Sequence, residues 1–367
     1  MDTILTIFRD VHDPRDINAR HPLEAMLFIA VAATLCGAKS CVDIADFGAA
    51  HFELLSEIVD LPHGPPSHDC FSRVFRLLEP NALAQALEQF SRAMREAYGL
   101  GPAKGVIAVD GKSLRRGFNK GRAFMPPMMV SVWDTETRLS ITARHAEGGN
   151  EVGAILAALK GLALKGCIVT ADALHCHPRM AEAVRATGAD YAITLRANHG
   201  PLYEAAGAAF AKADRAGKLK FHETVERGHG RYERRRASVI AAPDNCPRFP
   251  GLTAIARIDS ERQAGSAKPE TETLFVVLSK KMTPSRALAV KRSHWSIENH
   301  LHRQLDVVFF EDDARTRKNY APQNLGVIRR IALDILRCHP ANLSIARKQK
   351  RAAWSKEFFF ELFAHMR

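Results

Sequence analysis

Apolar residues in the first hundred positions recur every three or four residues, the period of helices that bury one stripe. HPLEAMLFIAVAATLCGA, CVDIADFGAAHFELLSEIV, SHDCFSRVFRLL and ALAQALEQFSRAMREAY read as four helices, with Pro and Gly at the joints. In the third, Phe71, Val74, Phe75 and Leu78 share a face, and Ser67 or Asp69 can cap its start. Near residue 105 the pattern changes. Val106, Ile107, Ala108 and Val109 are continuously apolar, as in a strand covered on both faces, and the run stops at Asp110. Gly111 reads as the turn after that strand, with Lys112, Arg115 and Arg116 beyond it.

The pattern then alternates between extended and helical. MMVSVWDTETRLSITARHA reads as a hairpin, and Asn150 can cap a helix in which Val152, Ile155, Leu156 and Leu159 line one face. Cys167 to Ala171 repeats the first device, a buried strand ending on an acid, Asp172. Helix PRMAEAVRATG and strand DYAITLRAN follow. This β-β-β-α-β-α-β order predicts an α/β fold, a mixed sheet with flanking helices. From about 200 to 282 polar strands suggest a β-rich basic insertion, whose Arg227, His229, Arg231, Arg234, Arg235 and Arg236 form the densest basic cluster. Such a cluster is expected to face phosphates. The chain ends in helices. His294, Glu298 and His302 fall at i, i+4 and i+8, so all three are expected on one helical side. Two domains result: residues 1–98, all helical, and 99–367, the α/β part with its insertion.

Charge changes the picture more than composition does. The chain has 367 residues, 46% of them apolar, and a net charge of +12 from 52 basic and 40 acidic residues, which favours a polyanionic partner. The longest apolar run, Ala25 to Ala38, is too short to cross a bilayer, and the first residues lack a basic start followed by an apolar core. Seven scattered cysteines without a CxxC pair point to reduced packing thiols in a cytoplasm and away from structural zinc.

Six segments in order, HPLEAMLFIAVAATLCGAKSCVDIADFG, LPHGPPSHDCFSRVF, VIAVDGKSLR, IVTADALHC, ERGHGRYERR and HWSIENHLHRQLDVVFFEDDARTRK, resemble insertion-sequence DDE transposases. The likeness is to the subgroup with a transposase-associated N-terminal domain, which includes the H-repeat-associated proteins. It implies a ribonuclease H-like core in which Asp110, Asp172 and Glu298 are catalytic and hold divalent metal, Mg²⁺ or Mn²⁺, with two ions per site. Carboxylates suit such hard cations, and two metals roughly 3.5–4 Å apart serve both oxygens of an in-line displacement at phosphorus. In the wider superfamily an Arg precedes the Glu by one helical turn and a Lys follows it. His294 and Leu305 stand there instead, leaving Lys291, Arg292, His302 or Arg303 to substitute.

The implied activity is cleavage at element ends, an endonuclease step, and joining of the 3′ ends to a target. The expected partner is double-stranded DNA, contacted by Lys112, Arg115, Arg116, Arg196, Asn198, Arg231, Arg234, Arg235, His294, Trp295 and Arg303. A homodimer on DNA, in the cytoplasm and nucleoid, without membrane, completes the expectation, because pairing two ends calls for two active sites. Two alternatives share the fold: a DNA-binding relic without catalysis, and a structural nuclease acting on branched DNA.

Overall fold

The apolar periodicity of the first hundred residues folds into six helices: α1 (Asp2–Arg9), α2 (Leu23–Leu35), α3 (Cys41–Ala50), α4 (Phe52–Ser56), α5 (His68–Leu77) and α6 (Pro80–Ala97). Then come β1 (Val106–Ser113), β2 (Met128–Asp134), β3 (Leu139–Ala146), α7 (Glu151–Leu159), β4 (Ile168–Ala171), α8 (Pro178–Ala186), β5 (Asp190–Leu195) and α9 (Gly200–Arg215). Four long strands follow, β6 (Phe221–Gly228), β7 (Arg231–Ala241), β8 (Ala254–Ala264) and β9 (Glu270–Leu278). The chain closes with α10 (Pro284–Ser296), α11 (Arg303–Val307), α12 (Ala321–Cys338), α13 (Ile345–Trp354) and α14 (Lys356–Phe363). The structure, a computed structural model, describes residues 1–118, 125–217, 219–228, 230–265 and 268–364, so His229 of the basic cluster lies outside the described residues. It divides into two units. The first is Met1–Pro102, Gly111–Ala158 and Glu298–Arg367; the second is Ala103–Asp110 and Leu159–Ile297.

In the first unit α2 is buried on every side except at Glu24, because its residues are otherwise apolar or small. It packs on α12, whose first sixteen residues are all buried and which also meets α5 and α6. Sequence-encoded caps set the helix starts. Ser40 and Asp43 form a reciprocal capping box at α3, the Ser67 hydroxyl accepts from the Cys70 amide at 3.4 Å, and Asn150 Oδ1 accepts from the Gly153 amide at 2.9 Å. Strands β2 and β3 form the expected antiparallel hairpin, and Trp133 is wholly buried. Trp354, by contrast, is 79% exposed at the end of α13.

The second unit is built on a mixed sheet in the order β1-β4-β5-β9-β8-β7-β6. Strands β1, β4 and β5 run parallel and the others antiparallel. Strand β9 pairs with β5, so the polar segment expected as an insertion extends the central sheet through main-chain hydrogen bonds. That segment begins with α9 rather than a strand. Leu202, Ala205, Ala206 and Phe210 carry helical spacing, and Gly-Pro at its start fits a helix N-terminus. Helix α10 lays Ala287, Leu288 and Val290 on a sheet face formed by Val106, Ala256, Val276 and Leu278.

Among the described residues no helix is long and apolar enough to cross a membrane, and all seven cysteines are free thiols. Burial pushes Cys36, Cys176 and Cys338 up to about 12, in keeping with packing roles.

Candidate active site and nucleic-acid interface

Strands β1 and β4 pair in parallel as far as Ala108 opposite Thr170; Asp110 lies two residues further along β1, and Asp172 follows directly after the end of β4. Neighbouring strands lie about 4.8 Å apart, and each acid follows the paired stretch of its strand by one or two residues. Strand β1 does not turn at Asp110, as the sequence suggests, but runs on to Ser113. Gly111 lies within the strand rather than at a turn, and a β-carbon there would make the Glu151 carboxylate at the start of α7 shift.

The loop after β4 is braced around Asp172. Its Oδ1 accepts from the Leu174 amide at 3.0 Å, His175 Nε2 lies 3.5 Å from the same oxygen, and Asn198 Nδ2 donates to the Ala173 carbonyl at 2.8 Å. The Asp172 side chain is nonetheless 49% exposed and open to an ion from solvent. Glu298 is exposed on a π-helical turn, Ile297–His302, and belongs to the first unit. Such turns insert a residue into the helical register and recur at functional sites.

Glu298 does not share its environment with both histidines of the expected stripe. His294 is 3% exposed; its Nδ1 lies 3.1 Å from Thr170 Oγ1, and that hydroxyl donates to the Ile107 carbonyl at 3.3 Å. With the hydroxyl proton committed, the imidazole donates from Nδ1. Burial, reinforced by Lys291 and His175, pushes His294 down to about 3, so it is neutral at physiological pH. A buried neutral imidazole bound to the sheet is not a surface contact for phosphate. Leu305, at the other departure from the superfamily pattern, is fully buried.

The remaining expected DNA contacts separate into three groups. Arg231 and Arg303 are exposed, as is Arg196, which pairs with Glu272 at 2.8 Å. Arg234 and Arg235 are taken up by a ladder of opposite charges across β6, β7 and β8. Arg234 meets Glu223 at 2.8 Å and Glu261 at 3.9 Å, while Arg235, 6% exposed, meets Glu226 and Glu233 and lies 5.7 Å from the Trp295 ring. The basic density read along one strand is therefore matched by Glu on its neighbours.

Lys112, Arg115 and Arg116 are each paired with acids. Lys112 is 7% exposed and bonds Asp306 at 2.7 Å and Asp312 at 2.6 Å, Arg115 meets Asp312 at 3.2 Å, and Arg116 meets Asp313 at 3.0 Å. Next to them Arg330, fully buried, reaches Glu311 at 3.3 Å and the Gly326 carbonyl at 2.9 Å. This charged core was not among the expectations drawn from the sequence. Its signal was Arg329, Arg330 and Asp334 lying inside an otherwise apolar helix.

Among the described residues no three or more His, Cys, Asp or Glu side chains are gathered to hold a metal ion. The fit of a divalent cation is one of donor chemistry: three carboxylates, of which Asp172 and Glu298 are open to solvent.

Known proteins align along nearly the whole chain. A family model described as a transposase DDE domain matches residues 101–334, and one described as DDE_Tnp_1-associated matches residues 5–91. The H repeat-associated putative transposase YhhI of Escherichia coli (strain K12) is 31% identical, covering 95% of this chain and 93% of the relative. Putative transposase YncI of Escherichia coli O157:H7 is 30% identical over 95% of this chain and 90% of its own length.

Proposed function

The chain belongs to the transposase DDE family, and from that premise we propose that it cuts DNA at the ends of an insertion sequence and joins the freed 3′ ends to a target. The observation that supports this reading is that β1 and β4 are adjacent parallel strands, with Asp110 near the end of one and Asp172 directly after the other, in a chain of that family. Asp110, Asp172 and Glu298 would hold the divalent cation. When bound, it supplies charge neutralisation at phosphate and activation of the attacking hydroxyl.

The protein's own part is placement. The Leu174 amide and His175 orient the Asp172 carboxylate, the Asn198 amide holds the loop after it, and the Thr170–His294 contact ties α10 to β4. The substrate is duplex DNA, and a homodimer on two ends would supply the two sites that pairing requires.

The test is cleavage and joining of a labelled duplex carrying the DNA that flanks this gene. Native protein with Mg²⁺ is expected to cut and join. Chelation should stop both while leaving DNA bound. Asp172→Asn should lower cleavage by more than the roughly 10–100-fold that loss of an outer-sphere metal partner costs. Full cleavage by Asp110→Asn or Asp172→Asn would overturn the assignment.

A further inference from the structure

The first unit contains a cleft of about 1060 Å³, just above the roughly 300–1,000 Å³ typical of small-ligand sites. Its rim carries Lys39, Arg315, Arg317 and Lys318, all four exposed. Arg317 is oriented by a 2.9 Å hydrogen bond to the Arg116 carbonyl. Asp69 and Asp313 also line the cleft, but Asp313 already meets Arg116, so the lining is cationic in balance.

Its inner wall is unlike its rim. Gln323 is 4% exposed, with Nε2 3.2 Å from His145 Nε2, while its Oε1 has no hydrogen-bond partner among the described residues. Burial holds His145 below the usual imidazole range, so the ring is neutral and can accept from the Gln323 amide. That leaves a buried acceptor which, unmet, costs about 1–3 kcal/mol. Arg76 Nε is a buried donor in the same condition. Phe310, also in the lining, is 38% exposed and held at φ 53°, a left-handed conformation that strains a bulky residue and marks functional positions.

We propose that this cleft binds an unpaired segment of DNA, with phosphates on Arg315, Arg317 and Lys318 and one base directed inward, where a donor on its edge meets Gln323 Oε1. Cations over an aromatic-lined groove are the usual means of holding single strands. An unpaired nucleotide can enter to the depth of Gln323, whereas the edge of a stacked base pair cannot reach a side chain 4% exposed. The choice of DNA rests on the transposase reading, but the cleft shares no residue with Asp110, Asp172 or Glu298.

The experiment measures anisotropy of a fluorescent 12-nucleotide single strand with the full chain in EDTA, where no cleavage intervenes. Arg315→Ala/Lys318→Ala, two exposed positions, should weaken binding by about tenfold or more and reduce the salt slope by about 0.7 for each phosphate no longer met. Gln323→Met, similar in length, should weaken binding with the salt slope unchanged, since it removes a partner of the base rather than of phosphate. Unchanged affinity and slope in the double variant would overturn the proposal, as would equal competition by a blunt duplex. Asp172→Asn should bind the single strand like the native chain. Binding by both, without cleavage of flanking DNA by the native protein, would sink the transposase reading and leave the cleft assignment standing.

Discussion

Gly111 shows how one residue type can serve a purpose other than its most common one. Its β-carbon position is filled by the Glu151 carboxylate, so Gly111→Ala must displace a charged side chain at the residue next to Asp110. Because the atoms it meets are the far end of a flexible, half-buried side chain, we expect a loss of no more than about 1 kcal/mol in denaturant unfolding. Gly111→Ala/Glu151→Ala should recover most of it, and a double-mutant cycle would show the coupling. Lys112, the next residue along, is buried among Asp306, Asp312 and Glu311. Burial raises the Asp306 carboxyl above its ordinary range, and the ammonium partly offsets this. Lys112→Met leaves Asp306 without its ammonium, while Arg115 and Arg330 still meet Asp312 and Glu311, and should cost about 3 kcal/mol at neutral pH, with a smaller loss in acid as the carboxylates take up protons.

Asp334 gives a further residue-scale expectation. Burial within α12 pushes it up to about 7, against an ordinary aspartate value of about 3.9. The folded state then holds a proton that the unfolded chain has released, so the contribution is fully present below about pH 4 and is lost as pH rises to about 7. Asp334→Asn should flatten the stability profile by up to one proton in that window, measured by chemical unfolding from pH 4 to 8. An unchanged slope would show that the carboxyl is ionised in the fold.

At the scale of elements, β7 is the instructive case. Four arginines among its first six residues make a strong basic signal along the chain, yet a strand places partners on neighbouring strands, and β6 and β8 supply Glu223, Glu226 and Glu261. Arg235, nearly buried between Glu226 and Glu233, should cost about 3 kcal/mol when replaced by Met, whereas Arg234→Ala, at an exposed pair, should change stability little. Neither change should alter the salt dependence of duplex binding. A clear fall in slope for either would restore β7 as a phosphate-facing strand. The π turn carrying Glu298 is another property of the element. The residue spacing of α10 predicts an unbroken helix, and only packing reveals that His294 is buried and Glu298 exposed.

For the whole molecule, pairing within these elements changes where the net charge of +12 acts. With the β7 ladder and the Lys112 cluster neutralised from within, the surplus falls to cations such as Arg231, Arg303, Arg315 and Lys318. Duplex affinity should still fall steeply with salt, with a slope of about −5 if roughly six phosphates are met. A salt-insensitive affinity would remove the polyanion reading.

Hydrophobic period and capping residues determined where α2, α3, α5 and α7 begin, that β1 and β4 are buried strands, and that Asp110 and Asp172 follow apolar runs, because these properties depend on neighbours a few residues away. The order of elements likewise determined the α/β class. Tertiary structure decided what depends on residues far apart in the chain. It set β1 and β4 side by side in parallel, matched the arginines of β7 to glutamates on adjacent strands, and withdrew Lys112 and His294 from solvent. It also gathered the cleft around Gln323 from segments nearly 300 residues apart. A charge seen along the sequence has no fixed partner, and its role is settled only when folding determines whether an opposite charge or water meets it.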